Sequence, residues 1–325
     1  MIDFKRLTHL PSRLGALVAV TAFAGVAIAD IDPNLPEYEQ TSGISGDLRS
    51  VGSDTLSNLM TKWGEKYVSM YPQVNFEAES KGSSTAPPAL IEGVAKLGPM
   101  SRAMKGEEVD EFQAEFGYAP TQVKTGIDAI AVFVHKDNPV EQLTLDQLKQ
   151  IFSVDGPDGL TWGDVGVTDG SIANQRISVY GRNSASGTYG FFKEAALAKA
   201  DYRADVKEQP GSSAVVQGVG GDVVAIGYSG VGYATPNVKA VPIVGRDGKA
   251  YDPLNADEVY SGNYPIARFL YVYVNKAPNE SLDPLVGEFL KLVLSKEGQE
   301  VVDSEGFYAL SEFVAGKERE ALGIE

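Results

Sequence analysis

The sequence predicts an α/β fold with mainly parallel sheets, divided into two lobes. Three observations carry this. Short apolar strand patterns alternate with amphipathic helical ones along most of the chain, the signature of helices connecting the strands of a sheet. Two stretches, 126–135 and 266–275, are longer and nearly all apolar, as strands covered on both faces are. They are the natural places for the chain to cross between lobes. Four strand-to-helix junctions share one small, polar composition, and ligands in open α/β sheets lie beyond strand ends. The expected division is a leader (1–29), a discontinuous first lobe (30–126 plus 268–325) and an inserted second lobe (127–267).

A chain of 325 residues is long enough for two domains with sizeable cores. With 43% hydrophobic and 22% charged residues it reads as globular. The formal charge of −16 argues against a nucleic-acid partner, which needs clustered Lys and Arg, and against a polybasic membrane site. It does not exclude a small anion, because a pocket is governed by nearby cations and dipoles and not by screened surface carboxylates. With no cysteine there is no disulfide, thiolate metal site or lipid-modified thiol.

Residues 1–29 have the form of a secretory signal peptide. Lys5, Arg6 and Arg13 form a basic front, 14–24 a short apolar run and Ala27-Ile28-Ala29 a small-residue cleavage pattern before Asp30. The run falls short of the ~20 apolar residues of a spanning helix. The expectation is export and cleavage without membrane insertion, most simply into a periplasm.

The elements follow in order. Residues 48–51 read as a short strand, and Gly52-Ser53-Asp54-Thr55 as a turn in which Ser53 or Asp54 caps a helix. Leu56, Leu59, Met60, Trp63, Tyr67 and Met70 fall at helical spacing, ended by Tyr71-Pro72. Residues 74–78 alternate as a strand. The polar turn Lys81-Gly82-Ser83-Ser84-Thr85 then leads into a helix with Pro87 or Pro88 in its first turn. A strand over 97–100, Ser101-Arg102 and an acidic helix over 106–116 complete this part. Beyond the apolar strand at 126–135, Thr144 caps a helix with Leu145, Leu148, Ile151 and Phe152 inward, and Trp162 anchors a loop. A strand over 176–180 meets the turn 181–188 and a helix over 189–199. A short helix at 214–219, a buried strand at 223–228, the strand at 266–275, a helix from Asp283 or Pro284 to Ser295 and a mixed helical tail finish the chain.

The junctions at 52–55, 82–85, 101–102 and 182–188 each offer hydroxyls, glycine or arginine. Gly181-Arg182-Asn183-Ser184-Ala185-Ser186-Gly187-Thr188 is the richest. Unpaired N–H groups at a helix start favour an anion, although one such stretch alone is also what an ordinary polar turn looks like. Converging from two lobes, four junctions would surround a small oxyanion with donors.

Enzyme chemistry finds little support. Of two histidines, His9 lies in the leader and His135 ends an apolar strand. Residues 227–231 miss the last glycine of a nucleophile elbow. No His, Cys or carboxylate group has metal spacing, and Gly220-Gly221 and Gly230-x-Gly232 lack the dinucleotide fingerprint. No catalytic residue, metal or cofactor is expected.

Taken jointly and in order, six segments resemble the PstS family of periplasmic phosphate-binding proteins that serve phosphate ABC importers. They are Val51-Gly-Ser-Asp-Thr-Leu56, Lys81-Gly-Ser-Ser84, Leu97-Gly-Pro-Met-Ser-Arg102, Leu143-Thr-x-x-Gln-Leu with Ile151-Phe152 and Trp162, Arg182 with Ser186-Gly-Thr188, and Ala225-Ile-Gly-Tyr228. The resemblance implies a two-lobed, type II periplasmic-binding fold that closes on dehydrated phosphate and delivers it, as a monomer, to a membrane permease and ATPase. It places phosphate contacts at Ser53, Thr55, the Leu56 backbone N–H, Ser83, Arg182, Ser186, Gly187 and Thr188. Arg102 stands where some relatives carry an aspartate that accepts the phosphate proton. This implies a second cation there and leaves the acceptor unassigned, with Asp128 the first candidate and Asp54 the second; a hinge hydrogen bond and a helix cap are the competing roles of those two. Phosphate at neutral pH always carries a proton and sulfate does not, so an acceptor in the pocket favours the former. Sulfate or molybdate as ligand, or an exported phosphoester hydrolase, are the alternatives.

Overall fold

The computed structural model describes residues 31–168 and 170–324; the leader over 1–29 and Asp30 lie outside the described residues. The first part of the chain runs β1 (Gly46–Gly52), a single 3₁₀ turn (Asp54–Leu56), α1 (Ser57–Met70), β2 (Val74–Ser80), a second such turn (Ser83–Thr85), α2 (Ala86–Ile91), β3 (Gly98–Met100) and α3 (Gly106–Phe116). The middle holds β4 (Thr121–His135), β5 (Leu143–Thr144), α4 (Leu145–Phe152), β6 (Ser178–Arg182), α5 (Gly187–Ala195), β7 (Lys207–Gln209), α6 (Ser212–Gly220), β8 (Ala225–Gly230), β9 (Val238–Val241), β10 (Ile243–Val244), β11 (Ala250–Tyr251) and α7 (Ala256–Tyr260). The chain returns through β12 (Ala267–Val274) and closes with α8 (Pro284–Val293), α9 (Lys296–Ser304) and α10 (Glu312–Leu322).

Two hydrophobic cores divide these elements. One joins Trp63 and Tyr67 of α1 to Phe289 of α8, Val123 of β4 and Leu270 and Val272 of β12. The other joins Phe133 of β4 to Phe152, Trp162, Phe192, Val215 and Tyr228. Strand β4 feeds one core with its beginning and the other with its end, so the two lobes share a strand. The large residues carry polar handles that burial obliges them to satisfy. Trp63 Nε1 donates to the Gly298 carbonyl at 2.9 Å, Tyr67 Oη to that of Leu285 at 2.9 Å and Trp162 Nε1 to that of Val224 at 3.0 Å.

The sheets are mixed, which corrects the mainly parallel expectation. Parallel pairing holds for β1 with β2 and for β6 with both β7 and β8. The long apolar strands β4 and β12 are antiparallel to each other, and β4 is antiparallel to β8 and β9. An unbroken apolar run reports cover on both faces and carries no information about direction. Here β4 leaves the first lobe and β12 returns to it, so the two run oppositely.

Local signals mostly fix the boundaries. Thr144 and Gln147 cap α4 reciprocally: Thr144 N–H reaches Gln147 Oε1 at 2.7 Å, and Gln147 N–H reaches Thr144 Oγ1 at 3.1 Å. Asp283 caps α8 through the Leu285 N–H at 2.9 Å. The expected cap at Ser53 or Asp54 is absent, since no side chain caps the 3₁₀ turn at Asp54–Leu56. Helix α5 begins at Gly187, two residues before the expected Tyr189, so Gly187 and Thr188 form its first turn.

Candidate anion-binding cleft

All four polar junctions close on one another between the lobes, the third through Ser101. Gly82 sits at φ +126°, and a Cβ there would come within 2.5 Å of the Ala185 carbonyl oxygen of the opposite lobe. Only glycine tolerates both conditions. The Ser84 N–H and hydroxyl both donate to that carbonyl, at 3.2 and 3.0 Å. A Cβ on Gly187 would lie 2.2 Å from Ser83 Oγ and 2.6 Å from Ser101 Oγ. The start of α5 is thus pressed against two first-lobe turns, and a bare backbone is what permits it.

The hydroxyls of the cleft are buried and linked. Ser53, Thr55, Ser83, Ser186 and Thr188 are all 3% exposed or less. Ser53 Oγ donates to Ser101 Oγ at 3.0 Å; Ser83 Oγ is 3.2 Å from Ser101 Oγ and accepts the Ser101 N–H at 3.0 Å. Thr55 and Thr188 meet across the cleft at 2.9 Å. Ser186 is the N-cap of α5 and accepts the N–H groups of Thr188 and Tyr189, at 3.1 and 3.4 Å. Its acceptor capacity is thereby used, and its own hydrogen is left to donate elsewhere. Leu56 follows Thr55 on the same turn with its side chain in the first-lobe core. Ser184 is exposed.

Two buried arginines flank this hydroxyl set. Arg182, at the end of β6, donates from Nη1 to Ser212 Oγ at 2.7 Å and from Nη2 to the Pro210 carbonyl at 3.3 Å. Its Nη2 lies 3.2 Å from Asp54 Oδ2, which also accepts the Ser212 N–H at 2.8 Å. Asp54 therefore ties its lobe to the other, and Tyr233 Oη adds a bond to the Asp54 carbonyl at 2.8 Å. The second arginine is Arg268 on β12, the register partner of Asp128 on β4. Its Nε and Nη2 donate to Asp128 Oδ2 at 3.1 and 2.8 Å, and Nη2 also donates to Thr188 Oγ1 at 2.8 Å. Burial pushes the Asp128 carboxyl up and the Arg268 guanidinium down, and their mutual attraction opposes both shifts. Burial likewise lowers Arg182, against the pull of Asp54.

Arg102 does not join the cluster. Its guanidinium turns away to a bidentate pair with Glu108 of α3, at 2.7 and 2.6 Å. The adjacent residue, Ser101, is fully buried and faces the cleft instead. The carboxylate that satisfies Arg102 comes from the acidic helix directly after it, a local partner that outcompetes a distant one. Sequence reasoning missed Ser101, Ser212 and Arg268. The signal for Arg268 was available, because Asp128 and Arg268 are isolated charges inside two otherwise apolar strands.

The cleft is a buried, donor-rich set of hydroxyls and guanidiniums contributed by both lobes. Among the described residues, no group of His, Cys, Asp and Glu is arranged to hold a metal ion. Arg182 Nε and Arg268 Nη1 are buried without a hydrogen-bond partner. His135 stands apart at the end of β4, where its Nδ1 accepts the Asp137 N–H at 3.1 Å.

Comparison with known proteins decides the family. The PBP superfamily domain matches residues 38–297. A phosphate-binding protein PstS of Pseudomonas aeruginosa is 53% identical over 96% of this chain and 98% of its own length. The chain belongs to the PstS family. A PstS of Staphylococcus haemolyticus is 28% identical, covering 83% of each chain. Among solved structures, a substrate-binding protein of Clostridium perfringens, assigned to a phosphate ABC transporter and holding bound phosphate, matches with TM-score 0.68 and 28% identity, over 82% of this chain and 100% of that one. An ABC-type phosphate transport receptor of Vibrio cholerae, at TM-score 0.63 and 22% identity over 81% of this chain and 100% of that one, shares the PstS fold.

Proposed function

We propose that this chain is the phosphate receptor of an ABC importer. It takes one inorganic phosphate into the cleft between its lobes and presents the closed complex to a permease and ATPase. The observation that carries the reading is that buried hydroxyls of both lobes meet, Thr55 with Thr188 and Ser53 and Ser83 with Ser101 beside the Ser186 cap, while Asp54 of the Thr55 turn holds the buried Arg182. The Leu56 backbone N–H and the bare backbone of Gly187 complete the proposed contacts, and Ser101 joins them in place of Arg102. The proposed lobes are 30–126 plus 268–325 and 127–267, with the crossings in β4 and β12. The leader at 1–29 supports a periplasmic location, and the proposed role is that of a monomeric receptor that binds phosphate without turning it over. No helix among the described residues is long and apolar enough to cross a membrane.

The proton acceptor is reassigned. Asp128 has Oδ2 engaged by Arg268 and Oδ1 by the Val231 N–H at 3.3 Å. Asp54 uses Oδ2 for both Arg182 and Ser212, which favours its Oδ1 as the oxygen presented to the phosphate proton. Calorimetry on protein stripped of bound anion tests the proposal. One phosphate per chain is expected, insensitive to EDTA and not displaced by equimolar sulfate. No heat with phosphate refutes it; displacement by sulfate favours a more general oxyanion receptor.

A further inference from the structure

We infer that Arg268 is a second cation of the anion site and touches the bound phosphate through Nη1. The inference rests on the phosphate reading above.

The geometry of the guanidinium carries it. Its Nε/Nη2 edge faces Asp128, and the remaining Nη2 hydrogen goes to Thr188 Oγ1 at 2.8 Å. A guanidinium is planar, and one hydrogen of Nη1 runs parallel to that remaining Nη2 hydrogen. Nη1 therefore presents a donor parallel to the one that reaches Thr188, whose Oγ1 lies 2.9 Å from that of Thr55. The guanidinium Cζ lies over the Phe191 ring, 5.3 Å from its centroid, a cation–π contact that helps hold it in place. Arg268 is 7% exposed, and its Nη1 is buried without a partner. Native proteins rarely leave such a donor unpaired, because the desolvation is costly and nothing offsets it.

Charge gives a second argument. Arg182 lies near enough to Arg268 to disfavour its ionised form. Each has its own carboxylate, Asp54 and Asp128, so the four groups sum to zero. Two like charges buried on one cleft become favourable when an anion sits between them and accepts from both. The hydroxyl chain points the same way. Thr188 accepts from Arg268, so its own hydrogen is free for Thr55 or for the ligand. Arg268 thus polarises the threonine pair as donors while offering one N–H itself. The second cation expected at Arg102 is present after all, supplied by the strand that returns the chain to its first lobe.

The test separates a ligand contact from a mere counter-ion for Asp128. Phosphate and sulfate binding are measured by calorimetry, and thermal stability by melting, for the wild type, Arg268→Gln, Arg268→Lys and the double variant Arg268→Gln/Asp128→Asn. Arg268→Gln is expected to weaken phosphate about 10- to 100-fold and to lower the melting temperature, because Asp128 is left unpaired. The double variant removes both charges and is expected to recover the melting temperature while phosphate binding stays weak. Wild-type affinity in the double variant overturns the inference and leaves the phosphate reading standing. Should the double variant not fold, Arg268→Lys decides, since it keeps a cation opposite Asp128 and loses the Nη1 edge: weakened phosphate supports the inference and unchanged affinity overturns it. A wild type that binds neither anion refutes both readings.

Discussion

The two arginine–aspartate pairs of the cleft differ in how they are made. Asp128 and Arg268 are opposite residues on neighbouring strands, so their pair exists once the sheet has formed. Asp54 and Arg182 belong to turns of different lobes, so theirs exists only while the lobes meet. Burial differs accordingly: the Asp128 side chain is 0% exposed and that of Asp54 21%. One pair is part of the folded sheet and the other is a catch. Equal chemistry therefore has unequal consequences. Breaking the first strands a charge where water cannot reach it, whereas breaking the second lets Asp54 rehydrate.

The largest effect expected is on folding. Asp128→Ala leaves Arg268 buried and unpaired and is expected to lower stability by about 3–5 kcal/mol in urea unfolding; a loss below about 1 kcal/mol would erase the contrast between the pairs. Arg182→Ala is expected to cost about 2–5 kcal/mol in phosphate binding, with little change in the unfolding midpoint of the ligand-free protein. Third comes Gly187→Ala. Its new Cβ meets Ser83 and Ser101 of the other lobe, so closure is opposed by about 1–3 kcal/mol and phosphate binding weakens while the melting temperature without ligand holds. The smallest effect is at a site remote from both pairs. Thr144→Ala removes a capping box and is expected to cost about 1 kcal/mol of stability with phosphate binding unchanged.

What the sequence made legible follows the same division between local and distant. Helix α3 over Gly106–Phe116, the capping box at Thr144 and the cap at Asp283 depend on neighbours within a few residues, and all could be read. The polar junctions were legible because they repeat one composition at strand ends. What failed depended on a partner far along the chain. Asp54 has the local look of a helix cap, yet its carboxylate binds Arg182 and Ser212, over a hundred positions away. Asp128 and Arg268 are 140 positions apart, and only strand register unites them. At residues 101 and 102 the eye goes to the arginine, but successive residues leave a strand end in opposite directions. The carboxylate of Glu108, six residues on, then holds Arg102 aside.

The central claim is that turns from both lobes build one anion site against Arg182. A crystal structure with arsenate, whose arsenic scatters anomalously, tests it most directly. The expected result is one arsenate between the lobes, within hydrogen-bond reach of Arg182 Nε and the hydroxyls of Thr55, Ser83 and Ser186. An arsenate bound elsewhere, with those groups contacting only one another, would contradict the account.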